Sequence, residues 1–354
     1  MRYEMQAAQT LLGKLDAVPA SMSAWTAQAE DYVQEWALAY GLVRSMDAQA
    51  RFRKTAPGAL SGRVYASAVD QGRLEAATAW IGWLFFIDDQ LDEGDVGKNP
   101  LLVKERLRPF VAMAAEMEGT ATAGCGEGVV ETGSEQSSRS QLLVALKDVW
   151  QQFLPGMPAH WRAAFAKHYV DYLSGCEWEA RNRAHGYIPR EHEFAAMRRD
   201  AGAIWPSLDL LEYVADAPLP DKLRSHPLLV EIRTACADAV CWTDDLLTVA
   251  KERAHGDVHN LVMVLEHALE CDERHAMDMV AQRIATRVED LQKLRRAMGA
   301  INMDERAKVA FDRHLAGLYH WIRGHLEWGL QTIRYDAYAV ESVDYLEDLL
   351  GATH

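Results

Sequence analysis

Apolar residues recur along this chain at helical spacing, and the pattern predicts helices over nearly its whole length. Residues 24–47 and 62–92 carry Ala, Leu, Trp and Met at intervals near one helical turn, with no internal proline. The pattern continues through 101–117, 140–154, 158–183, 190–216, 226–254, 257–270, 272–297 and 303–335. Gly202 and Pro206 interrupt the 190–216 segment and predict a break or kink there. Gly256 predicts the end of one helix, and Asp257 is the expected N-cap of the next. No alternating β-branched run competes, so the chain reads as all-α. The one shift in composition is Gly119 to Arg139, rich in Gly, Thr and Ser, which predicts a flexible loop inserted in a single domain spanning 1–354.

Polar residues break the pattern informatively in two places. At Trp80 to Glu93, WIGWLFFIDDQLDE, an apolar run passes directly into Asp88, Asp89 and Asp92. On a helix, Asp88 and Asp92 share one face a turn apart. Carboxylates beside Phe85 and Phe86 are costly to bury without a positive partner, and hard oxygen ligands in this arrangement suit Mg²⁺. A helix end running into solvent is the plain alternative. The second place is TDDLLTVAKE, Thr243 to Glu252, where Asp244, Thr248 and Glu252 recur at i, i+4 and i+8 among apolar neighbours. That spacing stacks three oxygen donors along one helical face.

Charge and length narrow the classes. The 354 residues hold 52 acids against 37 Lys plus Arg, a formal charge of −15. That balance argues against general nucleic-acid or anionic-membrane binding, so an anionic substrate needs local cations. The five cysteines (Cys125, Cys176, Cys236, Cys241, Cys271) show no CxxC and read as free thiols of a reducing compartment. No secretory signal is visible at the start, and no apolar run approaches the ~20 residues that span a bilayer. The expectation is a cytoplasmic protein.

Together, DDQLD at 88–92 and DDLLTVAKE at 244–252 resemble the aspartate-rich and NSE motifs of class I terpene synthases. The following RAHGDVHNLV, 253–262, is similar to bacterial-type members, and the resemblance runs from about Trp36 to Tyr335. It departs from the family at Asp244, usually Asn, and at Thr248, usually Ser; both keep an oxygen donor. The resemblance implies an all-α helical bundle around a deep apolar pocket, with three Mg²⁺ held by Asp88, Asp89, Asp92, Asp244, Thr248 and Glu252. It implies a diphosphate-sensing arginine at Arg198, 46 positions before Asp244, beside a helix break at Gly202. It also implies a closing Arg334–Tyr335 pair, with Lys251 as a further donor to the leaving group. Phe85, Phe86, Trp205, Trp242, Trp321 and Trp328 are the candidate aromatic walls. Trp328 is expected deeper than Arg334, on the same last helix.

The implied activity is Mg²⁺-dependent ionisation and cyclisation of a prenyl diphosphate. Farnesyl diphosphate is the expected substrate, on the habit of bacterial-type relatives rather than on spacing. Geranyl or geranylgeranyl diphosphate remains the alternative. A chain-elongating prenyltransferase is disfavoured because its second DDxxD is missing. A noncatalytic prenyl-lipid carrier and a helical homodimer stay open.

Overall fold

A computed structural model describes residues 3–15, 18–92, 94–119, 140–335 and 349–350. Apart from Gly119, the insertion predicted at 119–139 lies outside the described residues, as does Cys125. The described chain is helical and carries no strand. It opens with α1 (Tyr3–Lys14), which the sequence pattern did not predict, and α2 (Thr26–Ala39). The 24–47 segment does not continue as one helix. Gly41 turns it at φ +67°, and Ser45 caps α3 (Met46–Thr55) by accepting from the Ala48 amide. The 62–92 segment is also divided. A short α4 (Pro57–Val64) begins on Pro57, and α5 (Gln71–Asp92) starts after a turn.

Next come α6 (Pro100–Gly119), α7 (Gln141–Phe153), α8 (Ala159–His185), α9 (Glu191–Ala201) and α10 (Ile204–Val214). The α9–α10 break falls where predicted, but Ala203, at φ +50°, takes the left-handed turn. Pro206 breaks nothing. It sits in the first turn of α10, where an amide has no intrahelical acceptor to lose. The remaining elements are α11 (Asp221–Arg224), α12 (Pro227–His255), α13 (Leu261–Leu269), α14 (Glu273–Met298) and α15 (Glu305–Gly329). Gly256 ends α12 at φ +75°, as expected. The cap of α13 is Asn260, not Asp257: its side chain accepts from the Val262 amide.

Two helices carry the acidic stretches, and both are surrounded. From Leu74 to Ile87, α5 is buried almost on every side, which is why its apolar residues run without a polar face. It packs against α2, α4, α7 and α10, while α12 packs against α14, α15, α13 and α1. Trp80 and Trp83 stack at 5.7 Å within the core, and their indole N–H groups donate to Ser207 Oγ and the Leu142 carbonyl. Each tryptophan therefore buries its apolar area without orphaning a donor. No described helix is long and apolar enough to cross a membrane. Cys176, Cys236, Cys241 and Cys271 are free thiols.

Candidate active site

α4, α5, α8, α9, α10, α12 and α15 enclose a cavity of roughly 1340 Å³, its open mouth included. Apolar walls come from Leu60, Ile81, Leu84, Ile204, Val240 and Trp321. The mouth is polar: Asp88 and Asp92 stand on the α5 side, and Asp244, Thr248, Lys251 and Glu252 on the α12 side. Two stretches about 150 positions apart in sequence thus face one space.

Arg198 sits between the break and the second acidic stretch. Its Nη2 donates to Asp244 Oδ2 and its Nε to Asp245 Oδ1, both at 2.8 Å. The neighbouring Arg199 leaves the cavity and pairs with Asp238 at 2.6 Å. Gly202 is needed for this packing. A Cβ there would come within 2.9 Å of Arg198 Nη1 and 3.0 Å of its carbonyl.

The last helix stops at Gly329, short of the predicted 335, and the chain folds back over it. A Cβ on Gly329 would fall 2.5 Å from Leu247 and 3.1 Å from the Tyr335 ring, so only glycine lets Tyr335 lie so close. Tyr335 then donates to Asp244 Oδ1 at 2.5 Å, and Arg334 Nη1 pairs with Asp89 at 2.6 Å. The Arg334 guanidinium lies 4.3 Å from the Phe85 ring centre, and Phe85 stacks on Trp328 at 5.6 Å. Trp328 therefore lies on the far side of Phe85 from Arg334; the Phe85 ring, not a continuous helix, spaces the two, since α15 ends between them.

Phe85, Trp321 and Trp328 line the cavity. Three other aromatic candidates do not. Phe86 turns into a side recess against Phe52, which Asp89 also lines. Trp205 packs on His168 and Arg233, and Trp242 lies half-buried against the core. A helix of this burial offers aromatic residues to several neighbours, and sequence spacing alone does not say which neighbour is the cavity.

Electrostatics separate the carboxyls. Burial raises Asp244, but His325, Arg198 and Tyr335 outweigh it and hold the group well below the usual range. Burial and the adjacent Asp92 push Asp88 up to about 7, against Arg334 and a hydrogen bond from Tyr172. Burial and Asp245 push Glu252 well up, more than Arg198 relieves. Asp88 and Glu252 therefore face the cavity with less positive charge than their ionised forms require. The donors are hard oxygens, the chemistry of a Mg²⁺-type cation. Among the described residues no three Asp, Glu, His or Cys side chains converge as a self-sufficient metal cluster. The residues fit a cation whose remaining ligands come from an anionic substrate and water.

Sequence reasoning passed over Glu179, Asp257, His259 and His325, which line the cavity, and Tyr172, Arg183, Asp245 and Asn260, which hydrogen-bond residues that do. The α8 stripe had a legible signal, since Tyr172, Cys176, Glu179 and Arg183 recur at i, i+4, i+7 and i+11.

Residues 79–290 match the model of terpene synthase family 2, C-terminal metal binding. The chain belongs to this family. It is 35% identical over 290 residues to the (−)-δ-cadinene synthase of Streptomyces clavuligerus, covering 81% of this chain and 83% of that protein. Over 300 residues it is 28% identical to a (+)-T-muurolol synthase of Roseiflexus castenholzii that cyclises (2E,6E)-farnesyl diphosphate, covering 85% and 86%. The solved structure of a cucumene synthase variant superposes with a TM-score of 0.75 at 28% identity, covering 90% of this chain and 98% of that one. As a terpene synthase, this chain carries a divalent-metal site. The metal-binding match spans both acidic stretches and the break between α9 and α10.

Proposed function

We propose that this terpene synthase converts farnesyl diphosphate to a cyclic sesquiterpene, with Mg²⁺ as its metal and three ions per site. The observation that carries this reading is one cavity with two acidic stretches and Arg198 around its mouth and an apolar interior below. The sesquiterpene synthases among its relatives support the substrate length.

Asp88 and Asp92 on one side, and Asp244, Thr248 and Glu252 on the other, would hold the metal; Asp89, expected with them, lines the side recess and pairs with Arg334. Bound Mg²⁺ supplies Lewis-acid stabilisation of charge on the departing diphosphate. Arg198, Lys251, Arg334 and Tyr335 orient the diphosphate by donating hydrogen bonds to its oxygens. Gly202 leaves room for Arg198 to do so. The apolar walls, with Phe85, Trp321 and Trp328, fold the hydrocarbon and exclude water. Their ring faces stabilise the allylic cation by ~1–2 kcal/mol each where desolvated.

Incubation with farnesyl diphosphate and Mg²⁺, followed by gas chromatography, tests the reading. A cyclic C15 product is expected, abolished by EDTA and restored by excess Mg²⁺. Preference for geranyl or geranylgeranyl diphosphate would overturn the substrate length, and turnover in EDTA the metal.

A further inference from the structure

Two of the acids at the mouth stand where helices fray. Asp92 is the last residue of α5, and Glu252 lies in the last turn of α12. Core packing fixes the helix axes but not side chains at such ends. A run of hydrogen bonds joins the two.

Arg183, in the last turn of α8, donates through Nη1 to Asp92 Oδ1 at 3.3 Å and to Asp257 Oδ2 at 2.9 Å. Its Nη2 reaches the Leu91 carbonyl at 3.4 Å. The other oxygen of Asp257 accepts from the Val258 and His259 amides, at 2.6 and 2.9 Å, which folds the turn after α12. That turn delivers Asn260, whose Nδ2 donates to Glu252 Oε2 at 2.8 Å and to the Asp245 carbonyl at 2.7 Å. Arg183 and Asp257 are largely buried, with side chains 12% and 13% exposed, so the bond between them is shielded from solvent, while Asp92 stands half exposed at the rim. Both carboxylates are taken by the same Nη1, and the second arm of the fork, Nη2, adds the Leu91 carbonyl, so one guanidinium holds three acceptors.

We propose that Arg183 is a positioning residue that sets the separation and orientation of the two acidic stretches, acting through Asp257 and Asn260. The inference rests on reading the mouth as a metal–diphosphate site. It assigns Arg183 no contact with substrate; its effect is to hold Asp92 and Glu252 where metal and diphosphate meet both.

Calorimetric titration of inorganic diphosphate in excess Mg²⁺ tests this without turnover. Arg183→Met, folded by circular dichroism, is expected to bind about 10- to 100-fold more weakly than wild type, the usual cost of removing a residue that orients metal ligands. Asp257→Asn keeps the amide acceptor of the turn but loses the charge. It should weaken binding in the wild-type background and add little to Arg183→Met. Wild-type affinity in Arg183→Met, or fully additive losses in the double variant, overturns the inference. Should Arg183→Met not fold, Arg183→Lys takes its place, with about tenfold weaker binding expected and wild-type affinity as the overturning result. Failure of the wild-type protein to bind diphosphate with Mg²⁺ would instead overturn the proposed function.

Discussion

Adjacent arginines at 198 and 199 point to opposite destinies, because successive residues on a helix diverge by about 100°. Arg198 forks between Asp244 and Asp245 at the cavity, while Arg199 joins Asp238 and Arg287 on the side of α14. Replacing Arg198 by Lys keeps the charge and loses the fork. Each charge-assisted bond lost at a buried site is worth ~1.5–3 kcal/mol, so kcat/KM should fall about 10- to 100-fold. Arg199→Lys should stay within about threefold of wild type, because its Asp238 pair is shared with Arg287 of α14 and lies away from the cavity lining. Steady-state kinetics on both variants check this, and the reversed order would move the sensor role to Arg199.

At the scale of elements, the turn from α10 through α11 into α12 is held by buried charge rather than by apolar packing alone. Asp209 and Glu212 on α10 receive Arg224 of α11, and Asp209 also takes Arg233 of α12 and His168 of α8 at 2.6 Å. Burial opposes ionisation of Asp209, but Arg224, His168 and Arg233 outweigh it and hold its carboxyl far below the ordinary range. A depressed carboxyl stabilises the fold above its unfolded value of about 3.9 and loses that contribution as pH falls toward the folded value. Asp209→Asn should therefore cost ~3–5 kcal/mol at pH 7, since it leaves buried guanidinium groups uncompensated. The gap to wild type should narrow below about pH 4. Urea midpoints at pH 7 and pH 3.5 measure it, and a gap that does not change with pH would remove Asp209 from the charge balance of this corner.

On the scale of the whole molecule, the mouth is assembled from α5, α8, α9, α12 and the segment after α15, so a ligand bound there touches elements from both halves of the chain. Such a ligand binds only the folded state and stabilises it by mass action, about 2.7 kcal/mol at a hundredfold excess over Kd. Inorganic diphosphate with Mg²⁺ should raise the melting temperature by several degrees. Diphosphate alone should do much less, because Arg198 and Arg334 are already engaged by Asp244, Asp245 and Asp89. Equal shifts with and without Mg²⁺, by differential scanning fluorimetry, would argue that the arginines hold the anion unaided.

Periodicity sufficed for the all-α class and for the course of α6–α9, α12 and α14, because a helix that buries a stripe must repeat it every three to four residues. The two acidic stretches were legible for the same reason: carboxylates and a hydroxyl one turn apart are a local pattern. Other features depended on neighbours distant in sequence. Trp328 and Phe86 look equivalent as apolar helix positions, yet one stacks on Phe85 beneath Arg334 and the other turns to Phe52. Gly329 is required because Leu247, far away in sequence, and Tyr335 press where a Cβ would stand. Arg183 carries no motif, and its part in the mouth exists only because α8 brings it between Asp92 and Asp257. A sequence records which residues can share a face of one helix. Which faces meet, and at what distance, is decided when the helices pack, because those contacts join residues that no local spacing relates.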